Sequence, residues 1–354
     1  MIQHAEVMGA AAELLMTNTT LNHLQQSRQT ATLPPTDREM SMPTLTSHLS
    51  RLKSSSPALL KGILAIAALI PLSAQADGSA RATARPAVDT TQLQAGIAAL
   101  AAQRPGITDM YVLGVAGDVD EDVFRNEVLY LQQLSARRWN AEGRMLSLVN
   151  HPSTASGYAQ LPLATRGNLA YSLDAMGKVL DPDEDVLFLY LTSHGLDNNS
   201  FYLHTGPKQE DFLAPRELAK MLENAKIGNA VIVVSACYSG AFIQALRSPR
   251  HVVITAARRD RPSFGCGNTD SATWFGRAFL VEALNSTNNF TAAFDMAATT
   301  VRRREKQEGE TPSVPQFESG KQVTEVLARW RAGLAEAPAV PYPFAHQPDQ
   351  KASD

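Results

Sequence analysis

Two residues that are able to act together in nucleophilic catalysis follow two apolar segments of the chain. His194 comes shortly after the apolar run 186–192, and Cys237 comes shortly after the run 230–235. A cysteine thiolate is a strong nucleophile, and a nearby imidazole lowers the thiol pKa or carries protons for it. Gly195 leaves room for a substrate backbone beside the histidine. The pattern predicts covalent catalysis by a cysteine–histidine pair, with backbone N–H groups available for an oxyanion.

Each of these residues alone has a simpler explanation. A cysteine after an apolar strand is commonly a small buried hydrophobic residue, and a His-Gly pair at a strand end is commonly a turn. The equivalent positions of His194 and Cys237 after two apolar runs favour a shared function. The order of histidine before cysteine differs from that of papain-type enzymes, in which the cysteine comes first.

The segments that must position this pair alternate between short apolar runs and helical patterns. Strands are predicted at 110–116, 145–149, 186–192, 230–235 and 251–256, with a short edge strand at 201–204. Helices are predicted at 123–138, 166–180, 215–226, 274–284, 290–308 and 322–332. This alternation predicts an α/β fold with a mainly parallel sheet and helices on both faces. Active sites of such sheets lie at the carboxyl ends of the strands, so both side chains are expected at one crevice.

The bulk composition excludes several other functional classes. The 354 residues are 44% hydrophobic and 19% charged, with a formal net charge of −3 and no long basic run. Nucleic acid is therefore not expected as a partner. The two cysteines are too few for a disulfide framework or a multi-cysteine metal site. We expect no metal and no organic cofactor.

Residues 61–76 have the order of a secretory signal. Lys61 precedes an apolar run at 62–72, and Ala74 and Ala76 follow it as an A-x-A site. The run is too short for a comfortable membrane span, although it would act as an anchor if left uncleaved. We therefore predict export to the periplasm or the medium, without stable membrane insertion once the signal is removed.

The remaining terminal segments are predicted to lie outside the folded domain. Residues 1–60 are polar and read either as a disordered leader or, in part, as sequence before a true start at Met40 or Met42. Residues 77–91 have the composition of a linker, and residues 336–354 that of a flexible Pro-rich tail. One domain at 92–335 is left between them.

Several separated motifs resemble the legumain (asparaginyl endopeptidase) family, particularly its bacterial members. LYLTSHG at 189–195 and VIVVSACYSGAFI at 231–243 carry the resemblance, which extends through VVITAARRDRPSFGCGN and TWFGRAF and covers about residues 108–320. It implies a caspase-like α/β/α sandwich and a cysteine-type endopeptidase acting on a peptide or protein substrate. It also implies Cys237 as nucleophile, His194 as acid/base, and the backbone N–H groups of Gly195 and Cys237 as the oxyanion hole.

The resemblance also implies a substrate pocket, in which this chain departs from the family. Arg125 aligns with the basic residue that helps to bind the substrate asparagine, although a solvated helix residue is an alternative. The family's asparagine that orients the histidine is Val123 here. The acidic positions beside the cysteine are Ser235 and Tyr238, and Asp270 is a candidate for the missing charge. Strict asparagine specificity is therefore not expected.

The segment after the fifth predicted strand offers an edge to extended substrates in the family, and Ser263 is its candidate contact. Its basic residues would attract acidic peptide side chains or simply be solvated: Arg258, Arg259 and Arg261. Cys266, between two glycines, is either inert or able to form a disulfide with Cys237 under oxidation.

Three functions stay open on the sequence. The first is hydrolysis of peptide bonds through a Cys thioester acyl-enzyme. The second is transpeptidation or transamidation, in which an amine replaces water at the same acyl-enzyme. The third is a catalytically idle caspase-like module that binds peptides. Retention of His194 and Cys237 argues against the third function, whereas the loss of the orienting asparagine at Val123 argues for it.

Overall fold

The computed structural model describes residues 90–154, 160–267 and 269–344. The predicted leader, the signal segment, nearly all of the predicted linker and the last part of the predicted tail lie outside these ranges. Within them, no helix has both the length and the apolar character that crossing a membrane requires.

The described residues contain a six-stranded sheet of order β2-β1-β3-β6-β7-β8 and a separate two-stranded sheet of β4 and β5. Neighbouring strands of the large sheet run parallel, except for β8, which pairs antiparallel with β7 at one edge. The strands are β1 Met110–Ala116, β2 Met145–Val149, β3 Val186–Thr192, β4 Phe201–His204, β5 Glu210–Leu213, β6 Asn229–Ser235, β7 His251–Thr255 and β8 Gln316–Ser319.

Helices cover both faces of the large sheet because its central strands are apolar on both sides. Along β3, Leu187, Leu189 and Leu191 pack in one hydrophobic cluster, whereas Phe188 and Tyr190 pack in the other. The first cluster includes residues of α1 Thr90–Ala98, α3 Arg166–Val179, α4 Pro215–Asn224 and α5 Ala241–Leu246. The second includes residues of α2 Asp122–Arg138, α6 Trp274–Gly276 with its π-helical continuation Arg277–Ala283, α7 Phe290–Glu308 and α8 Lys321–Ala332.

This arrangement confirms the predicted α/β/α sandwich with a mainly parallel sheet, and it is consistent with a caspase-like fold. Several details differ from the sequence-based expectation, which did not include helix α1 or strand β5. The strand at 201–204 does not extend the edge of the large sheet but pairs with β5. The antiparallel edge strand β8 was not predicted, because its four residues, QFES, carry no apolar run.

The first part of the predicted flexible tail is packed against the domain. Val340 is 2% exposed, and its backbone exchanges two hydrogen bonds with the side chain of Asn285. Its carbonyl oxygen also accepts a hydrogen bond from Tyr130 Oη, and Tyr342 Oη donates to the Ser271 carbonyl at 2.6 Å. Residues 340 and 342 thus contact the domain, since a Pro-rich composition reports the lack of regular structure and not the lack of contacts.

Candidate active site

The carboxyl ends of three neighbouring strands lie level with one another. Ala116 at the end of β1 pairs with Thr192 of β3, and Thr192 pairs with Ser235 of β6. His194 and Cys237 each follow two residues after these paired positions. The parallel register thus directs both predicted residues to the same edge of the sheet.

The segments that carry the histidine and the cysteine are in direct contact. A Cβ atom on Gly195 would collide with the backbone carbonyl oxygen of Cys237 and would come 3.0 Å from the Cys237 backbone nitrogen. Because real Cβ atoms do not approach so closely, glycine is required at position 195. The structure therefore brings the predicted residues His194, Gly195 and Cys237 together.

We expect Gly195→Ala to lower peptidase activity about 100-fold or more, because its methyl group would push the Cys237 backbone out of place. The measurement is kcat/KM on a peptide substrate. Gly333→Ala is the matched control, since a Cβ there would meet no atom closer than 3.5 Å. Wild-type activity of Gly195→Ala would show that the backbone contact has no bearing on the site.

The thiol of Cys237 is partly buried and lies against Ser263. The Ser263 backbone nitrogen donates a hydrogen bond to Cys237 Sγ at 3.2 Å, and Sγ lies 3.4 Å from the Ser263 carbonyl oxygen and 3.6 Å from its hydroxyl oxygen. Ser263, predicted as a substrate contact, is therefore next to the predicted nucleophile. These contacts fix the direction in which the sulfur points.

The turn after Cys237 is held in a constrained backbone conformation. Tyr238 has φ of +56°, in the left-handed region that non-glycine residues rarely adopt. Its backbone nitrogen donates to the Arg261 carbonyl at 2.8 Å, and its own carbonyl accepts from Asn199 Nδ2 at 3.2 Å. The first bond ties the cysteine turn to the loop after β7, and the second ties it to the loop between β3 and β4. Strain of this kind persists only where surrounding contacts enforce it, and it concentrates at functional sites.

The ring of His194 is packed between aromatic side chains. Its centroid lies 5.2 Å from that of Phe124, edge to face, and 6.3 Å from that of Tyr202. Burial lowers the pKa of His194, and the negative charge of Asp118 opposes this shift. Position 123 contributes no polar group, because the fully buried Val123 packs in an apolar cluster. The departure from the family at this position therefore leaves the imidazole without the usual amide.

A buried carboxylate that was not predicted lies beneath the strand ends. Glu127 is fully buried, and its two carboxylate oxygens accept four hydrogen bonds. Tyr190 Oη donates at 2.8 Å and Thr192 Oγ1 at 2.6 Å, whereas the backbone nitrogen and hydroxyl of Thr273 donate at 2.8 and 2.6 Å. Burial raises the pKa of Glu127. The carboxylate thus joins α2 to the end of β3 and to the segment before α6.

A sequence signal for this carboxylate exists in helix α2. Glu127 shares the helical spacing of Phe124, Val128 and Leu131, all of which are buried. An acidic residue on the inward face of an amphipathic helix indicates a buried and partnered charge.

Ser235 is buried beside Thr273, one of the residues that donate hydrogen bonds to Glu127, and does not lie at the surface of the site. Its side chain is buried at 2% exposure, and its hydroxyl lies 3.3 Å from Thr273 Oγ1. The prediction that Ser235 binds substrate is therefore not supported by its position. A side chain at the end of a strand with two covered faces points into the core.

Arg125 is not a solvated helix residue. Its side chain is 16% exposed and lies 3.2 Å from the Asp122 carboxylate. Its guanidinium also lies 3.1 Å from His151 Nδ1 and donates to Ser153 Oγ at 3.1 Å. Burial and the charge of Arg125 lower the pKa of His151. The arginine is thus held in one orientation by a cluster of polar side chains, which excludes the simpler of the two interpretations of its sequence position.

Asp270 and Arg258 each have an ion-pair partner. The Asp270 carboxylate is 19% exposed and pairs with Arg304 at 3.1 Å, and the Arg304 guanidinium lies 4.3 Å from the centroid of Trp274. Arg258 pairs with Asp260 at 2.6 Å on the surface. The charge predicted for the pocket at Asp270 is therefore already balanced.

Cys266 is a free, partly buried cysteine, as Cys237 is. It packs against the apolar cluster that contains Phe124. Burial and the proximity of Cys237 raise the pKa of the Cys266 thiol to about 11. A thiol with so high a pKa is almost wholly protonated at neutral pH and a poor nucleophile, which favours the inert interpretation.

The comparison with protein families agrees with this geometry. The model of the peptidase C13 family matches residues 163–325, a range that contains both His194 and Cys237. A search of curated proteins found no match. Peptidase C13 is a family of cysteine peptidases, which are hydrolases. Residues 163–325 of the chain are therefore similar to the peptidase C13 family, the legumain family of cysteine peptidases, and the match is consistent with a member of that family.

Proposed function

We propose that the chain hydrolyses peptide bonds through a thioester acyl-enzyme formed on Cys237. The observation that carries this proposal is the contact between the Cys237 turn and the His194-Gly195 segment at the ends of two neighbouring parallel strands. The match of residues 163–325 to a family of cysteine peptidases supports it. No metal and no organic cofactor is needed for this chemistry.

The steps follow from the functional groups at the strand ends. The Cys237 sulfur attacks the substrate carbonyl carbon, and the resulting oxyanion accepts hydrogen bonds from the backbone N–H groups of Gly195 and Cys237. His194 protonates the nitrogen of the leaving amine as the C–N bond breaks. Water then attacks the thioester carbonyl carbon and gives a proton back to His194, and the C–S bond breaks to release the acid product and the Cys237 thiolate with which the cycle began.

Separate roles for the two side chains fit the contacts that they make. Among the described residues, the imidazole of His194 forms no hydrogen bond with Cys237 Sγ, whose polar contacts are with Ser263. Histidine in the role of proton donor to the leaving group does not need to touch the thiol. The proposal therefore assigns attack to Cys237 and proton transfer to His194.

The substrate residue before the cleaved bond is proposed to bind beside Arg125. The guanidinium is fixed by neighbouring polar groups, whereas Ser235 is buried and Asp270 is paired. Arg125 is thus the strongest candidate for direct contact with a polar substrate side chain. Tyr238 and Ser263 flank the cysteine and are proposed to contact the substrate backbone.

Arg125→Ala is expected to raise KM about tenfold or more with a smaller change in kcat, because it removes a binding contact and leaves the reacting groups in place. Steady-state kinetics on a peptide with a polar residue before the cleaved bond measures this effect. Arg137→Ala, an exposed arginine on the same helix, is the matched control. An unchanged KM for Arg125→Ala would show that Arg125 does not contact the substrate.

The decisive experiment is a cleavage profile of a peptide library with protein that starts at Asp77. Cleavage after a defined residue type would establish both the activity and the primary specificity. A competing amine in the same assay decides between hydrolysis and transpeptidation, since only the latter yields the amide product. Absence of cleavage, together with tight peptide binding, would favour the idle binding module.

Export is a further part of the proposal and rests on residues 61–76 alone. Removal of the apolar run after Ala76 would leave a mature chain that begins at Asp77. Amino-terminal sequencing of the protein from the periplasm and the medium tests this. Recovery of the uncleaved chain from the membrane fraction would instead support an anchor formed by residues 62–72.

A further inference from the structure

Asp118 is a buried carboxylate at the strand end next to the one that carries His194. It is 3% exposed and follows two residues after Ala116, as His194 follows two residues after its paired partner Thr192. The backbone nitrogen of Gly117 donates to the Thr192 carbonyl at 3.0 Å, so the two chains stay joined beyond the regular strands. Asp118 and His194 therefore occupy corresponding positions on neighbouring segments.

Strand β4 links the same two positions. The Tyr202 backbone nitrogen donates to the His194 carbonyl at 3.0 Å, and the His204 backbone nitrogen donates to the Gly117 carbonyl at 2.7 Å. The His204 ring lies on the Asp118 side, with Nδ1 at 3.4 Å from Asp118 Oδ2. The Tyr202 ring lies near both imidazoles, with its centroid 6.3 Å from that of His194 and 5.7 Å from that of His204.

The Asp118 carboxylate has no lysine or arginine partner among the described residues. Its Oδ1 accepts a hydrogen bond from the Asp120 backbone nitrogen at 2.8 Å, and its ion-pair contact in those residues is with His204. Several other titratable residues surround Asp118, and most of them are acidic. They are Asp120, Glu121, Asp122, Tyr202 and His204. The negative charge is thus not cancelled by a fixed cation.

We propose, on the basis of the function proposed above, that Asp118 is the acidic positioning residue of His194 and stabilises its protonated form for transfer to the leaving amine. It thereby takes the place of the orienting asparagine that the family has at the position of Val123. The fully buried Val123 side chain lies in an apolar cluster and offers the imidazole no polar contact.

The physical reason is electrostatic. Burial disfavours the charged imidazolium, and the negative charge of a nearby carboxylate favours it. In agreement with this, burial lowers the pKa of His194, whereas the charge of Asp118 raises it. Without Asp118, a smaller fraction of His194 would be protonated at neutral pH, and the leaving amine would depart more slowly.

The test is an NMR titration of the histidine ring protons in the wild-type chain and in Asp118→Asn, with the His194 signal assigned by its loss in His194→Gln. We expect the pKa of His194 to fall by about one unit in Asp118→Asn. The limb of the kcat/KM profile that needs protonated His194 should move to lower pH by the same amount, with KM little changed. Asp118→Glu, which keeps the charge, should restore most of both effects.

Asp120→Asn is the matched control, because Asp120 belongs to the same cluster but its side chain is 74% exposed. It should move the His194 pKa much less than Asp118→Asn does. If Asp118→Asn does not fold, Asp118→Ser is the second variant and is expected to give the same shift.

An unchanged His194 pKa in a folded Asp118→Asn variant overturns the proposal, as does a shift confined to His204. If Asp118→Asn lowers the pKa of His194 but the wild-type chain has no peptidase activity, the electrostatic effect of Asp118 is supported and the proposed function is contradicted.

Discussion

Cys237→Ala is expected to lower the rate of peptide hydrolysis by roughly 10⁴-fold or more, to the level of a chain without a nucleophile. The acyl-enzyme cannot form without the sulfur, whereas the pocket stays in place, because the thiol's polar contacts are limited to Ser263 in the described residues. Substrate should therefore still bind. The rate is measured under single-turnover conditions, and the binding by the affinity for an uncleaved peptide.

Labelling by an acyloxymethylketone probe provides the second measurement. The probe should react with wild-type protein and with Cys266→Ala, which keeps the proposed nucleophile, but not with Cys237→Ala. Cys266→Ala is a matched control, since both cysteines are free and partly buried. Turnover by Cys237→Ala at the wild-type rate would refute the assignment of the nucleophile. Failure of the folded, reduced wild type to react with any electrophilic probe would favour the idle binding module.

The central strands and the placement of the cysteine–histidine pair were predictable from the sequence. β3 and β6 are continuous apolar runs with both faces buried, and such runs are unambiguous where helices alternate with them. The residues that follow each run must then meet at one edge, because parallel strands end on the same side. This reasoning needs no side-chain detail, so the position of His194 and Cys237 at one edge of the sheet could be predicted.

Partners of buried polar groups were not predictable in the same way. Periodicity tells that Glu127 faces inward, but its donors lie 63 to 146 residues away in the chain. The same limit applies to Asp270, whose pairing with Arg304 depends on how α7 packs. Residue type and spacing therefore predicted that His194 and Cys237 share one edge of the sheet, whereas the electrostatic surroundings of these residues required the tertiary structure.

The network around Glu127 predicts a large effect on stability. Glu127→Ala is expected to lower the free energy of unfolding by about 3–5 kcal/mol, since it leaves buried donors of Tyr190, Thr192 and Thr273 unpaired and opens a cavity. Urea denaturation measures the change. Glu325→Ala, at an exposed position of α8, is the matched control, and an equal free energy of unfolding for the two variants would contradict the prediction.

The pH dependence of stability separates the charge of Glu127 from its shape. Burial raises the pKa of the folded-state carboxyl above its ordinary value of 4.5, so the folded chain binds this proton more tightly than the unfolded chain does. The contribution of this group to stability is therefore fully present below pH 4.5 and is lost as the pH rises through the folded-state pKa. Glu127→Gln cannot ionise, so its free energy of unfolding should not show this decrease as the pH rises. Because the amide still faces the hydroxyl and N–H groups, Glu127→Gln should lower the free energy of unfolding less than Glu127→Ala does. Urea denaturation of both proteins from pH 4 to pH 8 tests this, and parallel stability profiles of wild type and Glu127→Gln would show that the carboxyl does not change its protonation between the folded and unfolded states.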